Sequence, residues 1–329
     1  MHDVGGRHIR ELNLLDTEPG TIGHYWMHIV NNAIGEPIRI PLMVARGRTD
    51  GPVLGVTAAI HGNELNGIPV IQRMFAELPI DELRGTVVGA LVLNVPGLIR
   101  EQRVFNDGQD LNRIAPGRPD GTTSQVYVHR IIQRLIRHFD VFVDLHTASF
   151  GRVNSHYVRA NMGDADTARL AQLMNPEIIV NDDPNETNLR GAASELGIRS
   201  VTVELRDPHV FQNAVVADGL IGLRNAMVDL GMIGGEITPP SETITLCERS
   251  YWMYTDEGGI LWVYPEVAAG VRAGELVAEV RTIFGEATAR YHAPEAAIVV
   301  GRSVNPLNQT GSRIVHLGVG PTSLARLDS

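Results

Sequence analysis

From residue 24 to about residue 233, short apolar runs alternate with longer stretches in which apolar residues recur at three- and four-residue spacing. That alternation of strand-like and helix-like texture predicts a layered α/β fold. Residues 38–45, 53–59, 87–93, 141–145 and 200–205 have the length and apolar content of strands, whereas 64–78, 124–139, 164–174 and 211–230 carry helical periodicity. Within 124–139, Val126, Ile131, Leu135 and Phe139 share one face, with arginines and histidines largely on the other. His24, Trp26 and His28 alternate along a further strand and read as its polar, solvent-facing side.

After Gly234-Gly235 the texture changes to short apolar runs, at 260–264, 275–281, 296–300 and 313–317, separated by Gly, Pro and Asn. This predicts an all-β tail. Val267, Gly274 and Leu276 recur in the same spacing as Val304, Gly311 and Arg313, so two related halves, each with a glycine turn before a strand, suggest a small barrel of quasi-symmetric hairpins. Pro239-Pro240 interrupts regular structure nearby, which places the division between residues 1–235 and 236–329.

Composition narrows the chemistry. With 329 residues, 43% hydrophobic and 20% charged, the chain can bury a large core. A formal net charge of −10 argues against nucleic acid or an anionic membrane as the main partner. All 28 basic residues are arginine. Without lysine there is no Walker-type phosphate loop, no Schiff-base or pyridoxal chemistry, and no attachment point for lipoate or biotin. The single cysteine, Cys247, rules out an intrachain disulfide and a cysteine-built zinc knuckle, and is most simply a small buried apolar residue. The first residues lack a signal-like apolar core, and no run of about 18 apolar residues occurs. A soluble cytoplasmic protein is expected, with homo-oligomerisation left open.

Candidate chemistry gathers at strand ends, where open α/β sheets place ligands. In GVTAAIHGNELNG an apolar strand ends at Ile60 and is followed at once by His61, a glycine turn and Glu64. In DLHTAS, His146 follows the apolar run 141–145 in the same way. Two imidazoles and one carboxylate can form a zinc site with an open position for water. Asp144 could orient a ligand imidazole or be an internally satisfied buried carboxylate. Glu204, closing the run SVTVEL, emerges on the same edge and is the candidate general base. Between them lies LIREQRVFNDGQDLNRIAPG, where Arg113 beside Asn112 offers a clamp for a substrate carboxylate and Arg103 could hold oxyanion charge. His209, just after Asp207-Pro208, is a further residue able to approach this edge.

HGNE, DLNRIAPG, DLHTAS and VTVEL, in this order, make the chain resemble the succinylglutamate desuccinylase/aspartoacylase family of zinc carboxypeptidase-like hydrolases, over roughly residues 36–231. The resemblance implies a mixed sheet flanked by helices, followed by a small barrel-sandwich-like β domain. It implies one Zn2+ per chain on His61, Glu64 and His146, Glu204 as catalytic base, and Arg103, Asn112 and Arg113 holding a small N-acyl amino acid. The chain departs from the family at Ala115, where an aromatic residue is common, and Tyr251, Tyr254 and Tyr291 have no assigned counterpart to the tyrosine some members contribute from the C-terminal region. The tail also resembles biotinyl and lipoyl domains, but its presenting hairpin reads RTIFGEAT and lacks the modified lysine.

The expected function is therefore zinc-dependent hydrolysis of the amide bond of a small N-acyl amino acid. The alternative is a zinc carboxypeptidase trimming a peptide or cell-wall peptide, and the two differ in whether the tail covers the active-site edge or leaves an open groove. A carrier module is excluded by the missing lysine, and an interaction scaffold is disfavoured by the intact set of ligands and base.

Overall fold

Alternation within one strand explains where the layers lie. In Val141–His146, Val141, Val143 and Leu145 join one apolar cluster and Phe142 another, because successive side chains of a strand point to opposite faces. The computed structural model, which describes residues 5–183 and 187–324, builds an eleven-stranded mixed sheet from such segments.

In chain order the strands are β1 (Arg7–Ile9), β2 (Thr21–Asn31), β3 (Pro37–Arg46), β4 (Thr49–Ala58), β5 (Arg84–Ala90), β6 (Val141–His146), β7 (Arg152–Asn154), β8 (His156–Ala160), β9 (Ile178–Asn181) and β10 (Arg199–Leu205). There follow β11 (Thr245–Cys247), β12 (Arg249–Tyr254), β13 (Gly259–Val263), β14 (Gly270–Val271), β15 (Leu276–Arg281), β16 (Ala287–His292), β17 (Ala297–Ser303), β18 (Leu307–Asn308), β19 (Arg313–Val319) and β20 (Thr322–Ser323). The helices are α1 (Gly67–Ala76), α2 (Val95–Ile99), α3 (Thr123–Arg134), α4 (Ala165–Leu173), α5 (Leu189–Glu195) and α6 (Asn213–Asp229).

The large sheet runs β1-β2-β3-β5-β4-β6-β10-β8-β9-β11-β20, with β5, β4, β6 and β10 parallel at its centre. One face is covered by α1, α4 and α6, whose Val70, Ile71, Leu170 and Leu223 share a core with Val56, Val143 and Val203. The other face is covered by α3 and α5 through Tyr127, Ile131, Leu189 and Ala193. Leu135 and Phe139 join that second core, with Val126 packed at its edge, so the expected apolar face of this segment is borne out.

Each expected strand and helix of the α/β part is present, with shifted ends. The first helix starts at Gly67, three residues beyond Glu64, because residues 61–66 form a turn in which Glu64 N–H donates to the His61 carbonyl and Asn66 is tied to the Leu205 carbonyl and to Gln212. The helix expected over 124–139 leaves α geometry at Leu135 and closes with a 3-10 turn, Ile136–His138.

The tail folds as two antiparallel sheets, β12-β19-β17-β14 and β16-β15-β13-β18, packed over Leu261, Val277, Val280, Val299, Val315 and Leu317. Gly274 and Gly311, equivalent in the internal repeat, both adopt left-handed backbone, at φ +80° and +84°, just before β15 and β19. Sheet pairing crosses the expected division at 235/236 in both directions. From the tail, β11 pairs with β9 and β20 with β11, extending the large sheet, whereas β7 from the α/β part pairs with β17 of the tail. Cys247 is fully buried in β11, with its sulfur against Gly318. No helix among the described residues is long and apolar enough to cross a membrane.

Candidate metal centre and active site

Three of the four central parallel strands end at one place. His61 follows β4, His146 ends β6, and Glu204 is the next-to-last residue of β10, directly across the β6–β10 register from His146. Asp144 and His146 are two residues apart and so share the α3/α5 face, and Thr57 of β4 lies in register beside Asp144. Left-handed backbone at Ala59, φ +52°, turns the chain sharply after β4. Gly62 then passes so close to α2 that a Cβ would lie 2.0 Å from the Gly97 carbonyl carbon, so only glycine fits this turn.

The ligand atoms of His61, Glu64 and His146 all fall within 4.8 Å of one another, and all three side chains are buried. Both imidazoles turn Nδ1 toward Glu64, at 2.9 Å from Oε1 for His61 and 2.9 Å from Oε2 for His146. Both use Nε2 on a second carboxylate: His61 on Asp110 Oδ1 at 3.0 Å, His146 on Asp144 Oδ2 at 2.8 Å. A carboxylate accepting from Nε2–H fixes that tautomer and leaves the Nδ1 lone pair pointing inward. Despite its closeness to Glu64, His61 Nδ1 is buried and makes no hydrogen bond. Two such nitrogens and one carboxylate match the donor set and number of an open tetrahedral site. The three residues could therefore hold a metal ion.

Glu64 is fixed from several sides: Arg103 Nη1 and Ser149 Oγ donate to Oε1 at 2.9 and 2.6 Å, and Thr147 N–H donates to Oε2 at 3.2 Å. Burial opposes its ionisation, but the two imidazoles outweigh burial and hold its pKa well below the ordinary value. Arg103 Nε also donates to Asp110 Oδ2 at 2.9 Å, so Asp110 bridges His61 and Arg103. Nη2 of Arg103 makes no hydrogen bond among the described residues, although Arg103 lines the cavity.

Glu204 is half-buried. Its Oε2 accepts from Asn154 Nδ2 at 3.0 Å, and Oε1 takes no hydrogen bond from the described residues. Burial pushes its carboxyl pKa up, against the pull of His146. Asn112 accepts from Leu189 N–H through Oδ1 at 2.8 Å and brings Nδ2 to 3.5 Å from His146. Arg113 lines the same cavity of about 230 Å³.

All seven residues singled out for the site thus line one cavity: His61, Glu64, Arg103, Asn112, Arg113, His146 and Glu204. His209 lies outside it, exposed, with its ring against Phe150. None of Tyr251, Tyr254 and Tyr291 enters it either; Tyr251 bonds Glu295 and Tyr291 bonds Asp256. The tail contributes Trp252 instead, because neighbours on β12 face opposite ways. Ala115 is buried in the α3-side core and does not shape the cavity. Sequence reasoning missed Asp110, at the head of DLNR, and Asn154; the first carried a signal in its motif, the second none.

The fold and this site define an α/β protein with a candidate metal centre at the ends of its parallel strands. Residues 50–228 match the model of the succinylglutamate desuccinylase/aspartoacylase catalytic domain, and the chain belongs to that family. It is 25% identical over 278 residues to the N-alpha-acetyl-L-2,4-diaminobutyric acid deacetylase of Halomonas elongata, covering 80% of this chain and 81% of that one. It is 26% identical over 283 residues to the succinylglutamate desuccinylase of Pseudomonas paraeruginosa, covering 70% and 85%. The product-bound ectoine utilization protein EutE of Ruegeria pomeroyi has the same fold, with TM-score 0.82 at 23% identity over 91% of this chain and 95% of that one. The curated relatives are thus deacylating enzymes that act on N-acyl amino acids.

Proposed function

We propose that this chain is a zinc-dependent amidohydrolase that deacylates a small N-acyl amino acid. The observation that carries this reading is the placing of Glu204, with an unengaged carboxylate oxygen, in register beside His146 of a converging His61–Glu64–His146 set. Two deacylating relatives support the reaction class.

Zinc held by His61, Glu64 and His146 would supply Lewis acidity and lower the pKa of water at its open position. Glu204 Oε1 accepts the proton of the attacking water, while Asn154 holds the other oxygen of that carboxylate. Glu204 then returns the proton to the leaving amine. Arg103, anchored through Nε and Nη1, turns Nη2 to the scissile carbonyl oxygen and stabilises its growing negative charge. Arg113, with Asn112 beside it, receives the carboxylate of the amino acid. Asp110 and Asp144 keep both imidazoles in the tautomer that presents Nδ1.

The fold is read as zinc carboxypeptidase-like, with residues 1–235 carrying the reaction and residues 236–329 shaping its entrance. Trp252 and Arg313 of the tail line the cavity, which argues for a small substrate over the peptide of a carboxypeptidase. The test is to incubate zinc-loaded protein with a panel of N-acyl amino acids and of peptides with free C-termini, measuring released amine. Release from at least one N-acyl amino acid and none from peptides is expected. Peptide trimming alone would assign the protein to the carboxypeptidases.

A further inference from the structure

Two helices that start beside the site leave their capping positions unused. Asn66 precedes α1 and Gln212 precedes α6, and neither side chain bonds the first turn of its own helix. An asparagine at a helix start ordinarily accepts from a backbone N–H two or three residues on. Asn66 instead reaches the start of α6. Its Nδ2 donates to the Leu205 carbonyl at 2.9 Å and to Gln212 Oε1 at 3.0 Å, and its Oδ1 accepts from Gln212 N–H at 2.9 Å. Gln212 Oε1 also accepts from Asp207 N–H at 3.0 Å, and Gln212 Nε2 donates to Asp207 Oδ2 at 2.9 Å. The Leu205 carbonyl can only accept and the backbone N–H groups can only donate, so the orientation of both amides is fixed. Asn66 is wholly buried, yet neither it nor Gln212 lines the cavity.

The place of this bridge in the sheet gives it a task. Strands β4 and β10 are not neighbours, because β6 lies between them. Pairing of β4 with β6 ends at Ala58 and Leu145, before the turn that carries His61 and Glu64 begins. No strand pairing therefore joins that turn to the end of β10, where Glu204 sits. Asn66 makes the join, from two residues after Glu64 to the carbonyl one residue after Glu204. The segment it holds contains left-handed backbone at Arg206, φ +57°, and His209, φ +61°, neither of them glycine. Such backbone persists only where its surroundings hold it. Two backbone bonds run alongside the bridge, His209 N–H to the Asn63 carbonyl at 3.0 Å and Ala148 N–H to the Arg206 carbonyl at 2.8 Å.

We propose that Asn66, acting with Gln212, is a positioning residue that sets the turn carrying His61 and Glu64 against the strand end carrying Glu204. This rests on the deacylase reading above and adds to it two side chains that touch no substrate but govern the rate. Cutting the bridge leaves the Leu205 carbonyl and the Gln212 N–H without their buried partner, and the turn settles in a new place relative to the base.

Asn225 supplies a matched control. It is equally buried and makes the same set of bonds, through Nδ2 to the Leu173 and Thr238 carbonyls and through Oδ1 from Thr238 N–H, but it lies on α6 outside the cavity lining. Asn66→Ala, Gln212→Ala, their double variant and Asn225→Ala are compared as zinc-loaded full chains, well below their melting temperatures. The substrate is the N-acyl amino acid of the panel above that releases most amine, and rates are divided by bound zinc. Asn66→Ala and Gln212→Ala should each lower kcat by at least roughly tenfold with KM within about threefold, as a displacement on the order of 1 Å would. The double variant should be no slower than Asn66→Ala, because one device is removed in both. Asn225→Ala should lower the melting temperature and keep kcat within about twofold of the parent. A kcat per zinc in Asn66→Ala or Gln212→Ala equal to that of Asn225→Ala overturns the proposal. If Asn66→Ala fails to fold, Gln212→Ala, which truncates a half-buried side chain, decides alone.

Cobalt-loaded protein gives a reading that needs no turnover, since its visible bands report the geometry of the ligands. The bands should shift in Asn66→Ala and Gln212→Ala and match the parent in Asn225→Ala. If no panel member releases amine but the bands behave in this way, the deacylase reading falls and the bridge stands. Amine release with kcat unmoved in the bridge variants does the reverse.

Discussion

Glu204 and His146 face each other across two neighbouring parallel strands in exact pairing register. The sheet therefore fixes the spacing between the proposed base and a metal ligand, and no flexible loop intervenes.

Glu204→Gln preserves shape and the bond from Asn154 but removes the basic carboxylate. Zinc content by elemental analysis should be unchanged, and turnover should fall by at least roughly a hundredfold. Near-normal turnover with zinc bound would assign the base to another residue.

Purified, zinc-loaded protein should hold one zinc per chain, and His61→Ala or His146→Ala should abolish most of it. Asp110→Ala leaves all three ligands but frees the Nε2 side of His61, and should weaken zinc affinity by roughly ten- to a hundredfold in chelator competition. Unchanged affinity would show that Asp110 serves Arg103 alone.

Gly62→Ala places a methyl carbon against the backbone of α2. The turn carrying His61 and Glu64 must move, so zinc affinity should drop while circular dichroism still reports a folded chain. An alanine variant with normal zinc affinity would show that the turn has slack the geometry does not suggest.

His156 is buried, its Nε2 has no partner, and burial followed by nearby Arg206 pushes its pKa down to about 4. The unfolded chain binds this proton near pH about 6.5, where the folded chain refuses it. Stability is therefore intact above that pH and lost as pH falls from about 6.5 toward 4, by roughly 1.4 kcal/mol per pH unit at most. Urea titrations across this range should show the loss in the parent chain and a shallower slope in His156→Gln; parallel slopes would place the acid sensitivity elsewhere.

Much of this molecule was written in its linear pattern. Apolar runs ending in His61, His146 and Glu204 marked both the central strands and the residues at their ends, because a strand buried on both faces must be continuously apolar until it meets the site. The strand edge also brought Arg103, Asn112 and Arg113 into the same cavity, as the loop between the ligands suggested. What the sequence could not determine depends on pairings between distant segments. Strand β7 joins the tail sheet across about 150 positions of chain, and only that pairing brings Asn154 to Glu204 and Arg152 to Trp252. On β12 the alternation of Tyr251 and Trp252 says that the two point apart, not which one meets the cavity, and the sheet packing chose Trp252. Local periodicity encodes which side chains share a face; which face another element covers is set by long-range packing, whose partners no local pattern names.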